Sequence, residues 1–348
     1  MENGAELQSI HDTVRYRSRA LPGGGHPMPE QQPPAAGVSG QGLDMQTDSE
    51  SAPLIVQRLL DSGKPAAISI YLSGASEALR AAVAVGDEAK LEDALDRITA
   101  VAAVAASFEP SGQVAERAIT ALHNAFDLGL RSGDGPTSFP SDRLFAGVLA
   151  RARAVGALAV RLQHWRPLRH LILHDVDVEG PRVWSNWFRY GDVWASRSGT
   201  YRAENNVLEG SRAPLRLAAQ HALRLPALRP DGISDEDALI TSVCQFDFLT
   251  NLVTTWEALG DKPGEASFPY FAAWDGDRVR PAVSRVMFDA ECRAALLPGI
   301  SDADLAALVL YVAERANGAT EGMGSWGFWD GFVDGRVRSF LDEYAPRS

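Results

Sequence analysis

Residues 87–126 read DEAKLEDALDRITAVAAVAASFEPSGQVAERAITALHNAF, and the spacing of their apolar side chains sets the fold class. Leu91, Leu95, Ile98, Ala102 and Ala105 recur at steps of four, three, four and three residues. That period puts them on one stripe of a helix whose other side carries Glu92, Asp93, Asp96 and Arg97. Pro110-Ser111 then opens a second helix, where Val114, Ala118, Leu122 and Phe126 repeat the spacing. The link between the two is short, so they are expected to pack as an antiparallel hairpin.

The same grammar extends in both directions. Pro140-Ser141 opens a third long helix with Leu144, Val148, Val155, Leu158 and Leu162 on its inner side, and Ala152 and Ala159 small enough for close helix contact. Ser234 ahead of Asp237 marks another start, followed by Leu239, Val243, Phe246, Leu249, Val253 and Trp256. Ser301 with Asp304 opens a further helix bearing Leu305, Leu308, Val309 and Val312, and Asn317-Gly318 is expected to close it. A last helix is expected from about Phe328 to Tyr344. Strand signals are scarce: Ala66–Leu72 reads either way, and Asp175–Val178 alternates only briefly. The expected class is all-α, an α-solenoid-like array or a large irregular bundle of antiparallel hairpins. No repeat consensus is visible.

Residues 1–52 have a different composition. Leu21–Gly42 holds five prolines and six glycines in 22 positions, with almost nothing apolar to offset chain entropy, and is expected to be disordered. The expected organisation is therefore an acidic Pro/Gly-rich tail over 1–52, a helical half over 53–225 and a second over 226–348. The boundary falls at LPALRPDG (residues 225–232), which could equally be a loop inside one domain.

Over its 348 residues the chain has two cysteines and a net charge of −12. Two cysteines make neither a disulfide scaffold nor a Cys-rich zinc module, so Cys244 and Cys292 read as reduced core thiols. The start, MENGAELQSIHD, has no basic cluster or apolar core of a signal peptide, and no run approaches the roughly 18 uncharged apolar residues of a membrane span. A cytoplasmic location with no membrane partner is the expectation. Thirty of the 33 basic residues are arginine, which with the abundant alanine points to a GC-rich bacterial genome.

Charge is distributed unevenly. Arg143–Arg229 carries 14 arginines against six acids, a local +8, which leaves −20 on the remainder. The same segment holds Trp165, Trp184, Trp187, Phe188, Tyr190, Trp194 and Tyr201. Guanidinium groups interleaved with aromatic faces suit nucleic acid, where phosphates need charge and bases need planar platforms. The candidate contacts are Arg161, Arg166, Arg169, Arg182 and Arg189. The alternative is that these arginines pair with the acidic surplus while the aromatics fill the core. The absence of lysine favours such planar, paired contacts.

Three apparent motifs bear on enzyme chemistry. Gly322, Gly324 and Gly327 spell GxGxxG, but a helix precedes them and no strand can follow, so the dinucleotide geometry is missing. His170 and His174 are four residues apart, with Asp175 beside them, a spacing that can hold a divalent metal. Yet Leu171 stands where a zinc protease needs its glutamate, so helix-end histidines with a solvated acidic turn are the simpler reading and no metal or other cofactor is expected. Cys244 and Asp247 lie one turn apart with no basic partner nearby, which fits a core thiol and a hydrogen-bonded carboxylate. No GxSxG elbow, phosphate loop or kinase signature is present.

The stretches RARAVGALAVRLQHWRPLRHLIL (151–173), DEDALITSVCQFDFL (235–249) and GSWGFWDGFVDGRVRSFL (324–341) resemble a helical region found in actinobacterial proteins after a DNA-binding domain of the Schlafen AlbA_2 type. The resemblance covers roughly residues 53–345. The stretch ahead of it is too short for such a DNA-binding domain, so what the resemblance implies is a helical accessory or partner-binding module with no catalytic residues. The leading expectation is thus a non-enzymatic interaction or scaffold protein, regulatory or defence-related, that binds another protein. A nucleic-acid-binding accessory protein is the second, and a metal-dependent hydrolase at His170, His174 and Asp175 the third.

Overall fold

The computed structural model describes residues 52–61, 65–108, 112–132, 141–176, 186–188, 190–192, 207–258, 276–320 and 333–345. They form twelve α-helices: α1 Ala52–Asp61, α2 Pro65–Val85, α3 Glu88–Phe108, α4 Gln113–Ser132, α5 Ser141–Leu162, α6 Trp165–Ile172, α7 Val207–Arg224, α8 Glu236–Ala258, α9 Gly276–Phe288, α10 Ala290–Leu296, α11 Asp302–Thr320 and α12 Gly335–Tyr344. A 3-10 turn, Pro226–Leu228, joins α7 to α8. Among the described residues the sole β feature is an isolated antiparallel bridge between Asp175 and Asn186. The fold is all-α. The expected tail before residue 52 and the GxGxxG stretch lie outside the described residues.

Helix α3 begins at Glu88. Asp87 is its cap, its Oδ1 accepting from the Lys90 amide at 3.1 Å. Gly86, with φ 74°, makes the left-handed turn that ends α2 just before it. Leu91, Leu95, Ile98, Ala102 and Ala105 are all buried, and so is every residue from Ile98 to Ala106. The alanine-rich second half has no polar side because α1, α2, α4 and α5 surround the helix. Small side chains let four neighbours approach one rod.

Helix α5 is the second centre, packing against α3, α4, α6, α7 and α8. Gly156 sits where α5 meets α8, and a Cβ there would fall 2.3 Å from the Phe246 ring, so only glycine fits the crossing. One continuous apolar core runs from Val56 to Leu341, with Leu225 and Leu228 inside it. The LPALRPDG segment is thus a turn whose leucines belong to the core that both halves share.

Several helix ends differ from expectation. Asp235, not Ser234, caps α8, since its Oδ1 accepts from the Asp237 amide at 3.2 Å. Asn317-Gly318 does not close α11, which continues to Thr320. Asp334 caps α12, accepting from the amides of Arg336 and Val337, so that helix begins at Gly335. The Ser301–Asp304 start holds: the Asp304 amide donates to Ser301 Oγ at 3.1 Å. Ala66–Leu72, ambiguous in sequence, is helical within α2. By length and composition Ala66–Val85 is long and apolar enough to cross a membrane; Ile68, Tyr71, Leu72, Ala75 and Leu79 on it are core residues.

Candidate functional site

The basic segment was the strongest functional signal in the sequence, and its described arginines are turned to partners within the chain. Arg161 Nε donates to Asp231 at 2.6 Å and its Nη2 to the Leu228 carbonyl at 2.6 Å. Arg166 Nε donates to Glu116 at 2.7 Å. Arg169 pairs with Glu257 of α8. Arg182 and Arg189 lie outside the described residues, as do Trp184, Trp194 and Tyr201. Trp165, Trp187, Phe188 and Tyr190 are buried.

Two arginines that the sequence reading counted only as part of the basic segment are core residues. Arg151 and Arg153 stand two apart on α5, so they leave the helix on nearly opposite sides. Their side chains are 0% and 1% exposed. Arg151 donates to Asp96 at 2.7 Å, to Glu92 at 2.6 Å and to the Gly147 carbonyl at 3.0 Å. Arg224 of α7 closes the same cluster, donating to Asp96 Oδ2 at 2.8 Å and to His221 Nδ1 at 3.1 Å. On the other side, Arg153 grips both oxygens of Asp192, lies 3.5 Å from Asp247 and stands over the Phe188 ring. Asp247 thus answers to Arg153, and its neighbour Cys244 is a buried thiol. Charges removed from water this far persist only when paired and hydrogen-bonded, which these are.

Glu92, Asp96 and His221 offer ligand atoms within 4.8 Å of one another. Their partners argue against a metal centre. The two carboxylates already neutralise Arg151 and Arg224, and His221 Nδ1 accepts a guanidinium hydrogen. Burial opposes the charge on Glu92, but Arg151 outweighs it and holds the carboxyl below its usual range. Burial, then Arg151 and Arg224, push His221 down to about 3. A dication would meet two fixed cations in the same cavity.

The histidines are arranged differently from the expected metal pair. Helix α6 ends at Ile172, so His170 is in its last turn while His174 lies beyond it. Both rings turn toward α4, where they meet His123 and Asp127, two residues the sequence reading passed over. His123 and His174 are stacked, their centroids 4.2 Å apart and planes within 3°. His170 is tilted against His123 at 5.5 Å, and Trp187 abuts His123 edge-on at 4.7 Å. The carboxylate seated on His174 is Asp127, at 2.9 Å; Asp175 is exposed and its main chain bridges to Asn186. His170 Nε2 goes to Thr120 Oγ1 at 3.0 Å. Parallel rings hold their nitrogen lone pairs in separate planes, so the stacked pair cannot share one ion in this arrangement. Burial, and then the neighbouring rings, push His123 down to about 3, so it is neutral at physiological pH.

The i,i+4 spacing of His123 and Asp127 on α4 matches that of His170 and His174, and is the one local signal that could have paired them. Comparison with known proteins found no family model, curated protein or solved structure that matches this chain.

Proposed function

We propose that the chain is a non-enzymatic helical interaction protein that binds another protein, and that the outer face of α2 is its contact surface. The observation that carries this reading is the pattern of exposure along that helix. Ala66, Ile70, Ser73, Gly74, Glu77, Ala78, Arg80, Ala81, Ala84 and Val85 are exposed in helical register, while Ile68, Tyr71, Leu72, Ala75, Leu79, Ala82 and Val83 face the core. Ile70 is 71% and Val85 69% exposed, and Glu77 and Arg80, of opposite sign, are the charges in that exposed row. Leu54 on α1 and Phe108 at the end of α3 are further large apolar side chains left in water. A long strip of mostly small and apolar side chains with no net charge, on an otherwise anionic protein, costs solubility, and such strips commonly serve association.

Arginine pairing supports the same reading over its rival. Arg161, Arg166 and Arg169 have their charge matched by Asp231, Glu116 and Glu257, which leaves little for phosphates. The resemblance of residues 53–345 to an accessory helical region accords with a partner-binding role. The test is affinity capture from the native host with the wild-type chain and with an Ile70→Asp/Val85→Asp variant of equal thermal stability. Partners recovered by the wild type and lost by the variant are the expected result. An identical set from both would remove α2 from the account.

A further inference from the structure

Gly74 stands in the middle of α2, where a glycine weakens the helix and is useful only if another backbone comes close. Nothing in the chain makes that approach. Gly74 is exposed, and a Cβ built there would meet no neighbouring atom within 4 Å, whereas at Gly156 the Phe246 ring fills the space. The exposed side chains around Gly74 are graded in size along the helix. Ile70 and Val85 lie toward the two ends, with Gly74, Ala78 and Ala81 between them. At 3.6 residues per turn, Ile70, Gly74, Glu77, Ala81 and Val85 fall within about 80° of arc, on a strip about 30 Å long.

Charge on this face is treated differently from charge on the helix beside it. Every charged side chain of α3 has an ion-pair partner: Glu88 has Arg143, Lys90 has Asp87, Arg97 has Asp93, and Glu92 and Asp96 share Arg151. Glu77 and Arg80 are the charged residues of α2. Both are exposed, and neither has a partner among the described residues. They stand three apart on the same flank of the strip, so each is open to a charge brought from outside.

We propose that a second copy of the chain occupies this face, its α2 laid antiparallel on the first about a two-fold axis between Glu77 and Ala78. The proposal rests on the reading of α2 as the contact surface and names what covers it. Ile70 and Val85 are equally far from that axis, and so are Gly74 and Ala81. Each pair therefore meets across it: Ile70 packs beside the partner's Val85, and Gly74 admits the partner's Ala81. The strip reads the same in size from either end, as an isologous two-fold contact requires. The axis also sets each flank against the same flank of the partner, so Glu77 comes within a turn of the partner's Arg80, and Arg80 of the partner's Glu77. The two Glu77 carboxylates lie close to the axis and depend on both guanidiniums to answer them. In a parallel pair the two Arg80 side chains would fall on opposite flanks and leave the carboxylates facing each other. One helix face is small for a specific interface, which sets the dimer at micromolar strength.

Sedimentation equilibrium of the full chain from about 1 to about 300 µM tests this. The wild type is expected to form a dimer with a micromolar Kd. Gly74→Leu has room in the monomer, so its melting temperature should not fall. Its side chain would prop the two helices apart and should weaken the dimer by about 100-fold or more. Glu77→Arg and Arg80→Glu should each weaken it by about 10-fold or more when alone. An equimolar mixture of those two variants should associate as tightly as the wild type, because each brings the charge that the other lacks. A wild type that stays monomeric throughout would overturn the second copy as occupant. Loss of captured partners in Ile70→Asp/Val85→Asp would then still keep α2 as the contact surface, for a different protein. A dimer untouched by Gly74→Leu, or a mixture no tighter than the separate variants, would also overturn the proposal, since the contact would lie elsewhere or run in the other direction.

Discussion

The imidazoles of His123 and His174 lie face to face, 4.2 Å apart and within 3° of parallel, although 51 positions separate them in the chain. One is buried and the other is 20% exposed, so the stack runs from the core to the surface.

Acid should weaken the fold through His123 and, independently, through His221, both pushed down to about 3 by burial. Their folded values lie below the ordinary 6.5, so the unfolded chain binds more protons in acid. Stability is full above about pH 6.5 and is lost as pH falls toward about 3. At pH 5 each histidine should cost about 2 kcal/mol. Urea unfolding at pH 7 and pH 5 measures the loss, and a His221→Gln variant should show a smaller difference between the two.

The buried arginines predict a sharp contrast with the surface ones. Arg153→Met strands Asp192 and Asp247 in the core and should cost about 3–5 kcal/mol. Arg166→Ala removes an ion pair whose arginine is 72% exposed and should cost under about 1 kcal/mol. Thermal melts of the two variants at neutral pH distinguish them. Equal, small losses would mean that Arg153 is not held as described.

At the crossing of α5 and α8, Gly156→Ala would drive a methyl into Phe246. Overpacking of this kind should cost about 1–3 kcal/mol, and Phe246→Leu should restore part of it in the double variant. A Gly156→Ala protein as stable as the wild type would show that α5 and α8 are farther apart.

How much of this was legible in the sequence depended on how local the signal was. The stripe from Leu91 to Ala105 and the Ser301–Asp304 pairing are set within a few residues, and they read correctly. Asn317-Gly318 carries the residues of a stop signal, yet α11 runs through it, as tertiary context overrides a local preference. In the site, the spacing of His170 and His174 was visible, but Thr120, His123 and Asp127 come from about 50 residues earlier and nothing local announces them. Arg151 and Arg153 counted toward a basic segment because charge totals cannot tell a solvated guanidinium from a buried one.

Deleting residues 1–50 should leave the fold standing. Among the described residues the first core residue is Val56, and Leu21–Gly42 supplies prolines and glycines in place of apolar anchors. The melting temperatures of full and shortened chains are expected to agree within a few degrees. A loss of several kcal/mol would mean that the deleted stretch contributes to the core.

The account turns on whether the arginines of α5 and α6 are committed within the chain. A mobility-shift titration with single- and double-stranded nucleic acid at low salt tests this most directly. With Arg161, Arg166 and Arg169 matched by Asp231, Glu116 and Glu257 on a chain of net charge −12, no complex is expected at micromolar protein. A micromolar complex that weakens steeply with salt, and that disappears when Arg161, Arg166, Arg169, Arg182 and Arg189 are all replaced, would contradict it and make the protein a nucleic-acid binder.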